Sequence, residues 1–129
     1  MRLTNPWLIV ASLSSFLAIV AGAYGAHSLS DNKIFKDAFD TAFDFHMWYS
    51  LSLLSIAVFY EIRLKTDHNK SQTKWIHLSG ILFVMGMILF CGSLYALGLN
   101  IVPPIAGLAP TGGITLMAGW ITLAFSATR

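Results

Sequence analysis

The stretch from Trp75 to Thr128 runs for 54 residues without an Asp, Glu, Lys or Arg, and Lys74 and Arg129 bracket it. An α-helix rises about 1.5 Å per residue and the hydrocarbon core of a bilayer is about 30 Å thick, so the run holds two crossings and a connection. Gly98, Asn100, Pro103 and Pro104 mark that connection. Such a chain is a helical hairpin in lipid, because a helix satisfies its own backbone groups where no water can.

The remainder of the sequence agrees with this solvent. Of 129 residues, 56% are hydrophobic and only 11% charged, and the mean hydropathy is +0.68. That leaves too little polar surface to coat a water-soluble domain of this size, so residues 1–129 are read as one integral membrane domain with the lipid bilayer as its first partner. The net charge of +2 comes with eight basic residues and no aromatic-studded basic face, which argues against nucleic acid as a partner. The single cysteine, Cys91, forms no intrachain disulfide and sits in an apolar run, where it serves as a small hydrophobe. Near the N-terminus, Arg2, the apolar stretch Trp7 to Val20 and the small residues Ala21, Gly22 and Ala23 have the look of a secretory signal. The apolar stretch continues through Tyr24 to Ala26, however, which makes it long enough to span, and it is read as a retained first crossing.

Four apolar segments result, at about residues 7–26, 45–62, 75–97 and 110–127, with Trp7, Trp48, Trp75 and Trp120 toward their ends, where indoles favour the headgroup level. One side of the membrane collects Arg2, Arg63, Lys65, Lys70, Lys74 and Arg129, and the other only Lys33 and Lys36. The excess of positive charge predicts that both termini are cytoplasmic. Between the first two spans, Phe35, Phe39 and Phe43 recur every four residues while Asp37, Asp40 and Asp44 fall on another face. This predicts a short amphipathic helix over about 33–45, capped by Ser30, Asp31 or Asn32, that lies at the interface or packs on the bundle. A lid over a binding site is the alternative.

Small residues mark the faces on which helices approach closely. Ser14, Ala18, Gly22 and Ala26 are spaced by four in the first span; Ser79, Gly86 and Ser93 by seven in the third; Thr111, Thr115 and Gly119 by four in the fourth. From Pro103 to Gly113, prolines and glycines make a regular helix unfavourable, so a tight turn, or a loop that dips toward the membrane and restarts as helix at Pro110, is expected there.

No nucleophile elbow, phosphate-binding glycine loop, paired-cysteine metal motif or HExxH occurs. The expectation is therefore a protein that is not an enzyme and that carries no metal and no cofactor. The polar residues worth weighing gather at the outer side: His27 after the first span, then Asp44, His46 and Tyr49 at the start of the second. Imidazoles bind metals and relay protons, but at an interface they more commonly hydrogen-bond a carbonyl or a headgroup. His68 and His77 belong to the opposite side and are read as solvated or interfacial.

Three segments resemble a known family. Ala21-Gly22-Ala23-Tyr24-Gly25-Ala26-His27 is similar to a GAFGAH-type segment, Phe90-Cys91-Gly92-Ser93-Leu94-Tyr95 to an FSGSLY-type segment, and Pro110-Thr111-Gly112-Gly113 with Ala118-Gly119-Trp120 to a TPxGG…GW ending. In this order they resemble the small membrane proteins catalogued as domain of unknown function 423, which are similar to eukaryotic transmembrane protein 256. The resemblance implies an all-α, four-helix membrane bundle, usually in the bacterial inner membrane, of unestablished activity. It adds Tyr95 and Thr111 to the candidate polar site and Gly92, Gly112 and Gly113 to the packing residues. The family's usual histidine at the start of the second span falls here on Tyr49, with His46 one turn earlier.

The leading expectation is a structural or accessory component of a membrane assembly, with a membrane-protein partner or a second copy on its small-residue faces. A small solute or ion transporter using His27, His46 and Tyr49, and a cofactor-binding redox subunit with His27 or His46 as ligand, are the alternatives.

Overall fold

The computed structural model of the chain describes residues 4–28, 31–66, 71–101 and 107–128. The fold is all-α, and among the described residues there are four helices and no strand: α1 (Pro6–Ser28), α2 (Lys33–Thr66), α3 (Ser71–Gly98) and α4 (Ala109–Ser126). The segments Pro6–His27, Lys33–Thr66 and Gln72–Gly98 are long and apolar enough to cross a membrane. α4 has 18 residues, about 27 Å, and is the shortest. Large apolar side chains face outward along the helices, among them Phe16, Ile19, Trp48, Ile88, Ile114 and Phe125. Water would penalise such a surface and lipid does not.

Each helix end has a local cause. α1 begins where Asn5 caps it: Asn5 Oδ1 accepts from the amides of Trp7 at 3.1 Å and Leu8 at 3.3 Å, and Pro6 takes the first helical position, where a missing amide costs nothing. Asn5 Nδ2 also donates to the Ala57 carbonyl at 2.9 Å, docking the cap on α2. Of the three residues expected to cap the amphipathic stretch, Asn32 accepts from the Ile34 amide at 3.0 Å; Ser30 lies outside the described residues. α3 stops at Asn100, whose φ of 56° is left-handed, with Ile101 N donating to Ala96 O at 2.8 Å and Asn100 N to Leu97 O at 3.0 Å. Those two bonds form a Schellman turn. Gly98, expected in the turn, is helical and buried instead. A Cβ there would sit 2.7 Å from Phe39 Cβ, so Gly98 is the point where α3 closes on α2. Pro103 and Pro104 lie outside the described residues, as do Arg2, His68, Lys70 and Arg129.

The amphipathic stretch expected over about 33–45 is helical, and it continues into the second span as one unbroken helix. Hydropathy changes at Phe45, but nothing in the backbone chemistry there ends a helix. The phenylalanine face packs on the bundle: Ala38, Phe39 and Ala42 are buried, and Phe39 meets Tyr95 edge-on at 4.9 Å between ring centroids.

α1 packs on α2, α2 on α3, and α3 on α4. The α3–α4 contact is reciprocal and antiparallel. A Cβ on Gly119 would fall 2.6 Å from the Phe83 ring, one on Gly86 would fall 2.7 Å from Leu116, and one on Gly112 would collide with the main chain of Phe90. Each helix thus offers bulky side chains to the other's glycines, and backbones come close enough for Ser79 Oγ to donate to Gly119 O at 2.8 Å. Phe83, Leu53, Ile56, Ile76 and Leu116 fill the centre. Trp7, expected at the headgroup level, is 5% exposed because its ring fills the notch left by Gly80.

Candidate functional site

The polar residues singled out in the sequence separate into pairs that join helices. His46 is half-buried on α2, and its Nδ1 lies 3.1 Å from the Tyr95 hydroxyl on α3. One turn further along α2, Ser50 Oγ donates to His46 O at 2.7 Å. Since a hydroxyl has one proton, the 2.6 Å contact between Ser14 and Ser50 is a bond that Ser14 donates. The run Ser14 to Ser50 to the His46 carbonyl therefore links α1 to α2, while the His46 ring reaches α3.

Tyr49 takes a different direction. It is buried, and its hydroxyl accepts from Trp120 Nε1 at 3.2 Å. Its ring stands edge-on to Phe83 at 5.3 Å, and Phe83 lies 5.0 Å from Trp120, so three aromatics lock α2, α3 and α4 together. His27 sits exposed in the last turn of α1, Asp44 is exposed on α2, and Thr111 is exposed in the first turn of α4, where its carbonyl accepts from Thr115 Oγ1 at 2.9 Å. Of the six residues, His46 and Tyr95 are brought together and the other four are dispersed. Among the described residues, no three His, Cys, Asp or Glu side chains gather closely enough to hold a metal ion.

The pair at His46 and Tyr95 lines an open cleft of about 420 Å³ between α1 and α3. α1 contributes Val10, Leu13 and Leu17 to its walls, and α3 contributes Met87, Ile88 and Cys91. The small-residue stripe of α1 does not face this cleft along its whole length. Ser14 and Ala18 are buried, and a Cβ on Gly22 would strike the Phe43 ring of α2 at 2.7 Å. Ala26, by contrast, is exposed.

Among the other packing candidates, Ser93 is buried and donates to Phe90 O at 2.9 Å, and Gly113 only grazes the Phe90 ring. Gly92 packs against no helix. A Cβ there meets no atom within 4 Å, because the residue looks into the cleft. The helix contact expected at Gly92 is therefore not made within the chain.

Sequence reasoning passed over one tie altogether. Trp7 Nε1 donates to His77 Nδ1 at 3.2 Å, with the rings edge-on at 5.1 Å. An indole at the start of α1 and a histidine at the start of α3 share no periodicity, and only the antiparallel return of the chain brings them together.

The family profile described as protein of unknown function DUF423 matches residues 21–113, which include the α1 end, all of α2 and α3 and the first turn of α4. The chain belongs to this family. DUF423 relatives extend the match over nearly the whole chain. The UPF0382 inner membrane protein YgdD of Escherichia coli K12 is 31% identical over 124 residues, which cover 95% of this chain and 88% of that protein. A UPF0382 membrane protein of Haemophilus influenzae is 30% identical over 97% of this chain and 95% of its own length. The UPF0382 membrane protein YwdK of Bacillus subtilis is 28% identical over 95% of this chain and 96% of its own. No solved structure matches the chain. The protein is thus a helical membrane protein of a family whose activity is unknown.

Proposed function

We propose that this DUF423 protein is a non-enzymatic accessory component of a bacterial inner-membrane assembly, crossing four times with both termini on the cytoplasmic side. The observation that carries the reading is the open cleft between α1 and α3. α1 is fastened along α2 by Ser14 and Gly22, yet between the Trp7–His77 tie and Tyr95 it stands away from α3, leaving Gly92 facing empty space. An apolar cleft with a glycine in one wall fits a helix of a partner or of a second copy, since close approach of backbones is what stabilises helix pairs in lipid. The polar groups support the same reading, because His46, Tyr95, Tyr49 and Trp120 are spent on one another as interhelical bonds. A solute path or a cofactor site draws less from this geometry, as His27, Asp44 and Thr111 do not converge on His46.

The test is purification in mild detergent with mass measurement of the protein and of a Gly92→Leu variant, whose side chain fills the cleft. A defined complex in the unaltered protein that dissociates in the variant supports the proposal. A monomer without companions in both cases sinks it.

A further inference from the structure

A second cavity, of about 500 Å³, opens between the end of α2 and the start of α3 and has no part in the cleft described above. Its size is within the range of about 300–1,000 Å³ usual for small-molecule sites. Arg63 and Lys74 line it, and among the described residues around it there is no Asp or Glu. The nearest carboxylate on α2, Glu61, is engaged elsewhere: it pairs with Lys65 at 2.9 Å and lies 3.4 Å from Asn5 Nδ2. Arg63 donates through Nη1 to Gln72 Oε1, an uncharged partner that orients the guanidinium, and among the described residues no carboxylate pairs with it.

His77 adds a directed donor. An indole N–H can only donate, so the Trp7 bond makes His77 Nδ1 an acceptor and puts the proton of the neutral ring on Nε2. The cavity therefore presents a guanidinium, an ammonium and an imidazole N–H. Tyr60 and Thr73 also line it, and the rest of its wall is apolar: Leu64, Leu78 and Ile81 are each about two-fifths exposed. Cations at the helix ends above an apolar wall match one occupant, a molecule with an anionic head and a hydrocarbon body.

We propose that this cavity is a headgroup site for an anionic glycerophospholipid, whose phosphate is held by Arg63, Lys74 and the Nε2–H of His77 while its acyl chains run down Leu78 and Ile81. The site stands on charge and shape alone and does not depend on whether the α1–α3 cleft receives a partner.

The experiment is native mass spectrometry of the full chain released from detergent containing equal amounts of phosphatidylglycerol and phosphatidylcholine. The unaltered protein is expected to retain phosphatidylglycerol preferentially, and an Arg63→Gln/Lys74→Gln variant to lose that preference by about tenfold. A Lys33→Gln/Lys36→Gln variant, with the same change in net charge at the other end of α2, is expected to keep it. Equal retention of both lipids by the unaltered protein overturns the proposal, as does loss of preference to the same extent in both variants. A third arm adds millimolar inorganic phosphate. If phosphate displaces the bound lipid completely, the site is one for free phosphate and the lipid assignment fails.

Discussion

The indole nitrogen of Trp7 donates to Nδ1 of His77 across 3.2 Å, which fastens the first turn of α1 to α3 over 70 residues of sequence. The ring of Trp7 also occupies the notch at Gly80, where a Cβ would lie 2.6 Å from it. Trp7→Phe keeps most of this packing and removes the donor, so it is expected to cost about 1 kcal/mol. Trp7→Ala empties the notch and is expected to cost about 3–5 kcal/mol. Unfolding by dodecyl sulfate in mixed micelles measures both, and equal losses would show that the hydrogen bond contributes nothing of its own.

The α3–α4 contact makes a sharp distinction between adjacent glycines. A methyl group on Gly112 collides with the Phe90 main chain, whereas one on Gly113 only touches the Phe90 ring at 3.8 Å. Gly112→Ala is expected to destabilise the protein by about 1–3 kcal/mol, as overpacking does, while Gly113→Ala remains near neutral. Melting temperatures of the two purified variants decide the matter; a drop in Gly113→Ala as large as that in Gly112→Ala would contradict the register.

Ser14 and Ser50 test how much a buried hydroxyl pair is worth in lipid. Their oxygens are 2.6 Å apart, and both side chains are buried. A double-mutant cycle with Ser14→Ala and Ser50→Ala is expected to give a coupling of about 0.6 kcal/mol, the average for polar pairs between membrane helices. A coupling of zero would mean that the two hydroxyls are satisfied separately.

At Asn100 the backbone is left-handed, at a φ of 56°. Asn100→Gly should therefore be tolerated or mildly stabilising, and Asn100→Val should cost about 1–2 kcal/mol through its branched Cβ. Thermal unfolding of the two variants is the check, and the opposite order would rule out the Schellman turn.

Much of this architecture was legible in the residues, and the parts that were not share a cause. The charge-free run and the four-residue spacing of Phe35, Phe39 and Phe43 report on faces and lengths, which are local properties of a helix. They identified the pairing of two apolar helices, α3 and α4, and the buried side of early α2. The continuity of α2 through Phe45 follows from the lack of any helix breaker between Phe43 and Trp48, although hydropathy divides the helix by solvent. His46 and Tyr49 were expected on one face. Positions three apart differ by about 60° around the axis, enough for His46 to reach Tyr95 while Tyr49 reaches Trp120. Gly22 and Gly92 look alike in sequence, yet one is closed by a phenylalanine ring and the other opens on a cleft. That difference depends on how neighbouring helices are set, which spacing along one helix does not encode.

The 34 residues of α2 make a rod about 51 Å long, against a hydrocarbon layer about 30 Å thick. One end carries Arg63 and the other carries Phe39, wedged beside Tyr95. The rod's apolar part, about residues 45–62, is only about as long as the layer is thick, so the turns that carry Asp37, Asp40 and Asp44 are surplus to a crossing. The bundle nevertheless holds these surplus turns, since Ala38, Phe39 and Ala42 are buried in it.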